Sequence, residues 1–263
     1  MYDFNYHKPD TVADAVSLFN AADDAMYLAG GHTLIPAMKQ RLRAPTDLID
    51  LSAIQSLGEI QATGGGLLIG STVTHSQVAE SEVVFAAAPV LAAVAAGIGD
   101  RQVRNRGTIG GSVANSDPAA DYPAAVLGLG ASIVTDRREI AGDDFFQDMF
   151  ETALVEDELI TGIRFPAIAS AAYAKFPNPA SRYATVGVLV AKTAEGVRVA
   201  ITGAAASVFR ATAMEQALND NFSVEALAEV RLSRDDMNAD IHASAQYRVH
   251  LCGVMAARAV ALI

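Results

Sequence analysis

The sequence predicts an α+β fold built in parts, and three observations carry that reading. The first fifty residues alternate strand and helix patterns in the order β-α-β-α-β. Near Leu57 the pattern changes to a hairpin followed by alanine-rich helices, and near Pro166 to Ser170 it changes again. Beyond that second change the strand patterns come first and the helix patterns after them, as in a layered α+β unit. The expected divisions are 1–55, 56–168 and 169–263.

Phe4 to Lys8 reads as a short strand stopped by Pro9. Asp10 or Thr11 can cap a helix running to about Ala22, with Val12, Ala15, Val16 and Phe19 on one face. Ala25 to Leu28 reads as the second strand, and Ala29-Gly30-Gly31-His32-Thr33 leaves it as a glycine turn. A helix over Leu34 to Leu42 and a strand over Asp47 to Leu51 complete the first part. A glycine turn between a strand and a helix is a natural ligand position in an α/β unit.

In the second part, Gly58 to Ala62 and Leu67 to Ile69 flank Gly64-Gly65-Gly66 as a hairpin. Val73 to Val78 suits a short helix capped by Thr72 or Thr74, and Ala86 to Ala96 one buried helix. Gly97 to Ser116 shows no helix or strand pattern and reads as a long functional loop. Asp117-Pro118 is expected to open a helix, with Asp117 as its cap. Strands follow at Ala131–Thr135 and Leu159–Phe165, with a helical turn at Asp143–Phe146 between them. The last part predicts strands at Ala171–Phe176, Ala184–Ala191 and Val197–Gly203, then helices at Thr212–Asn219, Val224–Val230 and Ile241–Leu262.

Composition narrows the function. With 19 basic and 30 acidic residues in 263, the net charge is −11, which disfavours nucleic acid and anionic membrane surfaces. No apolar run approaches the roughly 20 residues a membrane span needs. The N-terminus lacks a basic and apolar leader, and a cytoplasmic chain is expected. The single Cys252 cannot form an intrachain disulfide or supply the ligands of an iron–sulfur cluster. Five dispersed histidines form no metal motif, and no Gly-x-Ser-x-Gly or defensible Ser/His/Asp order appears, so no catalytic residue is assigned.

The chemistry concentrates at two glycine pairs. A Gly-Gly turn lets backbone amides converge on an anion, and a following helix adds the positive end of its dipole. Gly30-Gly31 alone reads more readily as a ligand-free turn; it is neither a Walker loop nor a dinucleotide fingerprint. The second pair lies in Thr108-Ile109-Gly110-Gly111-Ser112, and the residues after it include Asn115, Ser116, Asp117 and Asp121. That density of small polar side chains suits a polar ligand lying along the backbone, or an ordinary surface turn. Arg101, Arg104 and Arg106 fit either an anion site or ion pairs. Lys175 follows the second junction and is placed to reach back into a cleft.

Together, residues 29–42 (AGGHTLIPAMKQRL) and 108–123 (TIGGSVANSDPAADYP) resemble the paired FAD motifs of the flavoprotein subunits of the molybdenum hydroxylases, the xanthine dehydrogenase family. Within that family the resemblance is to medium subunits of the aerobic carbon monoxide dehydrogenase type. It spans essentially the whole chain, and Ala174 to Val190 resembles the start of the family's C-terminal domain. The resemblance implies a two-part FAD-binding domain of the vanillyl-alcohol-oxidase (PCMH) type followed by a small α+β domain. It implies that Ala29, Gly30, Gly31, His32, Thr33, Leu34 and Ile35 hold the diphosphate and one flavin edge. Thr108, Ile109, Gly110, Gly111 and Ser112 would face them, with Asn115, Asp121, Ile160 and Lys175 near the cofactor. It further implies an electron-transfer role, from iron–sulfur clusters through FAD to an external acceptor, with a molybdopterin-containing large subunit and a 2Fe-2S small subunit as partners in a dimer of heterotrimers.

Overall fold

The computed structural model describes residues 1–263 and builds three larger sheets and one two-stranded sheet around three apolar cores. The first sheet is parallel, in the order β1 (Asn5–His7), β3 (Asp47–Asp50), β2 (Ala25–Leu28). Parallel neighbours need crossovers, which α1 (Val12–Ala21) and α2 (Leu34–Lys39) accompany. Thr11 caps α1 by accepting from the Asp14 amide, and Ala15 buries against Ala25, Ile49 and Leu51. The helix expected to reach Leu42 ends at Lys39, because Arg41 adopts a left-handed φ of 63°.

The second sheet is antiparallel, in the order β4 (Ile60–Thr63), β5 (Gly66–Gly70), β10 (Ile160–Phe165), β6 (Ser132–Thr135), β7 (Glu139–Ala141). Its helices are α3 (His75–Glu80), α4 (Glu82–Ala87), α5 (Pro89–Ala96), α6 (Arg101–Arg104), α7 (Ile109–Asn115), α8 (Tyr122–Gly128) and α9 (Gly142–Phe145). A small hairpin, β8 (Phe146–Asp148) with β9 (Glu151–Thr152), packs alongside. Thr74 opens α3 with a reciprocal capping box to Gln77.

Three expectations for this part are corrected. The single helix over Ala86–Ala96 is two helices, since Pro89 carries no amide and holds Ala88 out of the helical region (φ −152°, ψ 72°). Gly97 to Ser116 contains α6 and α7; adjacent glycines hide the helical pattern, while Ile109 and Val113 bury one face. Asp117 does not cap a helix: its carboxylate accepts from the Ala119 amide in a local turn, and α8 starts only at Tyr122, with Pro123 in its first turn.

The third sheet orders β11 (Ser170–Pro177), β12 (Ala184–Thr193), β13 (Gly196–Thr202) and β14 (Phe209–Arg210), all antiparallel. Alternation along β12 serves two cores. Leu189 and Ala191 join the core of the second part, while Val186, Val188 and Val190 face α10 (Thr212–Asp220) and α11 (Ala245–Ala261). The helix expected over Val224–Val230 is one turn, Glu225–Leu227, and that expected from Ile241 begins at Ala245 behind its Ser244 cap. Cys252 is buried in α11. No helix is long and apolar enough to cross a membrane.

Candidate functional site

The two glycine segments meet. A Cβ on Gly30 would lie 2.1 Å from the Arg106 carbonyl oxygen, so the first segment sits directly against the chain that leads into the second. Only glycine permits that approach. Gly31 adds a φ of 73°, in the left-handed region that other residues enter at a cost.

The hydrogen-bond ledger of the first segment is open. No backbone amide from Gly30 to Leu34 donates to a protein acceptor. The first helical bonds run from Ile35 to the Gly31 carbonyl at 3.0 Å and from Ala37 to Thr33 at 3.1 Å. Thr33 gives α2 no side-chain cap, and His32 and Thr33 are exposed. A continuous run of free donors at a helix start is the arrangement that receives an oxyanion.

The second segment is different from what the sequence suggests. It is the first turn of α7, and its amides are engaged. Ile109 donates to Val73 at 3.0 Å, Gly110 to Ser71 at 3.0 Å, Ser112 to the Thr108 carbonyl at 3.0 Å, and Gly111 to the Thr108 hydroxyl at 3.1 Å. A Cβ on Gly110 would lie 2.5 Å from that of Ser71, whereas one on exposed Gly111 meets only Thr108 Oγ1, at 2.9 Å. What this segment offers a ligand is a bare surface at Gly111, the free amide of Thr108, the Ser112 hydroxyl and the helix dipole.

Asn115 ends α7 half-buried. Asp121 is buried, and both its oxygens are engaged from β11: Tyr173 donates its hydroxyl at 2.5 Å and Lys175 Nζ lies at 2.8 Å. Burial pushes the Asp121 carboxyl up, while Lys175 and Tyr173 hold it down. Lys175 also donates to the Gly97 carbonyl at 3.1 Å, so it does reach back across the junction. The carbonyls of Pro118, Ala119 and Ala120 accept from Gly203, Ala184 and the Thr202 hydroxyl, which clamps this segment to the third sheet. Ile160 is 4% exposed at the start of β10, inside the second core. The structure therefore sets Gly30 against Arg106 and Gly107, directly before the second segment, and holds Asp121 and Lys175 as one pair.

Sequence reasoning passed over Tyr173, although it alternates with Lys175 on one strand face. It also passed over Ser71, His75 and Tyr122, whose Oγ, Nδ1 and hydroxyl are buried without partners around the second segment. His75 and Tyr122 pack with ring centroids 5.4 Å apart, and burial holds His75 down at about 4. No sequence pattern marks those three, since burial alone singles them out.

The residues fit FAD. Free amides from Gly30 to Leu34 suit its diphosphate, and Gly111 presents an exposed surface without a side chain. Comparison with known proteins agrees. The family described as "FAD binding domain in molybdopterin dehydrogenase" matches residues 2–168, and that described as "CO dehydrogenase flavoprotein C-terminal domain" matches residues 171–263. The carbon monoxide dehydrogenase medium chain of Hydrogenophaga pseudoflava is 35% identical, over 98% of this chain and 96% of its own. The nicotine 6-hydroxylase medium subunit of Paenarthrobacter nicotinovorans is 33% identical, over 92% of this chain and 91% of its own. A chain of the reconstituted carbon monoxide dehydrogenase from Oligotropha carboxidovorans superposes with a TM-score of 0.92 at 34% identity, covering 99% of this chain and 97% of that one. Both family matches and relatives aligned over nearly their whole length lead to one conclusion: this chain belongs to the FAD-binding medium subunits of the molybdenum hydroxylase family, which are oxidoreductase components.

Proposed function

We propose that the chain carries electrons from iron–sulfur clusters of a partner, through its FAD, to an external acceptor. The single observation that carries the placement is the run of free amides from Gly30 to Leu34, beside the Arg106-Gly107 backbone that leads into the second segment. Bound there, FAD supplies reversible one- and two-electron transfer.

The chain's own residues bind and orient. Amides of Gly30 to Leu34, with the α2 dipole, balance the diphosphate charge, and Ala29 and Ile35 flank them. Thr108, Gly111 and Ser112 face the same group, while Ile109 and Gly110 anchor that turn to the core. Asn115 and the Asp121–Lys175 pair border the flavin, and Ile160 packs behind it. A half-neutralised buried carboxylate is a strong local field, and through it Lys175 sets how the flavin edge is held.

One buried cysteine cannot ligate a cluster. The relatives' place as medium chains supports taking the partners to be a molybdopterin-containing large subunit, where the substrate is oxidised, and a 2Fe-2S small subunit, and we propose a dimer of heterotrimers in the cytoplasm. Co-expression with those subunits tests this. Substrate of the large subunit should bleach the flavin absorbance only in the assembled complex, and bleaching in the isolated chain would replace the reading by a self-sufficient oxidoreductase.

A further inference from the structure

Arg248 is the only lysine or arginine that the fold buries. It stands on α11, one turn after the Ser244 cap. Its Nη1 donates to the Thr185 carbonyl at 2.6 Å and to the Gly203 carbonyl at 2.8 Å, and its Nη2 meets the Asp240 carboxylate at 2.6 Å. Its Nε has no partner, and Asp240 is exposed. A charge buried against one exposed carboxylate adds little stability, and an apolar side chain could fill the same place. The two carbonyls call for another reason.

They lie where the β12–β13 ladder comes apart. Its last pair is Gly187 with Thr202. Beyond it, Gly203 takes a φ of 82°, and a Cβ there would lie 2.5 Å from the Ala184 carbonyl oxygen and 2.8 Å from that of Thr185. The two strand ends thus stay close, yet their amides turn away from each other. Gly203 donates to the Pro118 carbonyl at 2.7 Å and Ala184 to the Ala119 carbonyl at 3.1 Å. The Thr202 hydroxyl lies 2.9 Å from the Pro118 carbonyl oxygen and 2.7 Å from that of Ala120. Three consecutive carbonyls are held in this way immediately before Asp121, whose carboxylate meets Tyr173 and Lys175.

We infer that Arg248 is a positioning residue for the flavin site: by engaging the carbonyls of the parted β12 and β13 ends, it fixes the amides and the Thr202 hydroxyl that hold residues 118–120 and, through them, Asp121. The guanidinium suits the task, because Nη1 carries two N–H groups, one for each carbonyl, while Nη2 is left for Asp240. Without it, two buried carbonyls would lack donors at the point where the strands separate. A residue of the last helix thereby sets the position of a carboxylate in the second part of the chain. The inference rests on Asp121 bordering the flavin, as proposed above, and the experiment reads the two separately.

Hydrogen exchange on the full chain without FAD reads the hold on residues 118–120 directly. In R248M, which keeps the volume but has no donor, the Ala184 and Gly203 amides should exchange about tenfold faster while amides inside the β12–β13 ladder keep their rates. Unchanged rates at those two amides overturn the inference, and so does equal acceleration along the whole ladder, which would make Arg248 a stability residue only. FAD affinity, from fluorescence titration of the full chain and of its complex with the partner subunits, should fall about tenfold in R248M and recover in part in R248K. T202V should lose a similar amount, and R248M/T202V no more than the larger single loss, since both act through residues 118–120. Additive losses overturn the relay. If R248M does not fold, R248K and T202V with their double variant decide by the same two readouts. D121N separates the two failures. Weaker FAD binding in D121N with unchanged binding in a folded R248M overturns the role of Arg248. Unchanged binding in D121N as well places the failure in the position of Asp121, and the inference falls with it.

Discussion

Gly30-Gly31 and Gly110-Gly111 look alike in sequence and work in opposite ways. The first pair leaves its amides free and follows a left-handed path. The second engages its amides, and Gly110 packs against Ser71 with no room for a methyl group. In the proposed placement, one pair receives the ligand and the other builds the wall beside it. A glycine pair thus records that a side chain is excluded there. At Gly30 and at Gly110 the excluding neighbour is the protein itself, and what separates the two is whether the amides remain unpaired.

Substitutions can break or sharpen that contrast. The largest effect is expected for Gly110→Val, whose branched side chain is forced into Ser71 and should cost about 3 kcal/mol. Chemical denaturation should show the loss with and without added FAD, and near-normal stability would show that the second pair is not a packing device. Gly111→Asp is expected to abolish FAD retention while the chain stays folded, because the position is exposed, a Cβ there meets only the Thr108 hydroxyl, and an acidic residue suits a helix start. Flavin absorbance beside circular dichroism checks this, and full FAD content would remove Gly111 from the diphosphate wall. Gly31→Ala should cost about 1–2 kcal/mol from its left-handed backbone and weaken FAD by displacing the free amides. Unchanged affinity, measured by fluorescence titration, would separate the turn from binding.

Smaller effects concern the wall alone. Thr108→Val removes the α7 cap and should lower stability by about 1 kcal/mol. The smallest is a pH slope. His75 has its folded value depressed to about 4 from 6.5, so below 6.5 the unfolded chain takes up a proton that the folded chain refuses. Stability should therefore decline as pH falls from 6.5 towards 4, and His75→Gln should flatten that part of the curve. A decline of equal slope in His75→Gln would assign it to the carboxylates instead.

Much of this fold was legible because it is local. Thr11 capping α1, the strand–turn–helix order around Gly30 and the alternation along β12 all follow from neighbours within a few residues. The family followed from two motifs read together. What escaped depends on partners far along the chain. Helix α7 forms although it opens on two glycines, because Val73 and Ser71 accept its first amides and Ile109 and Val113 bury in the core. Asp117 looked like a helix cap until its carboxylate turned to Ala119.

By itself, the sequence determined where side chains are missing, where helices can start, and which apolar stripes must be covered. Only the tertiary structure decided which glycine amides find acceptors, and that Asp121 closes on Lys175 across 54 residues. The reason is physical: backbone conformation is set by each residue and its neighbours, whereas the satisfaction of a donor or a buried charge is set by whatever the rest of the chain brings beside it.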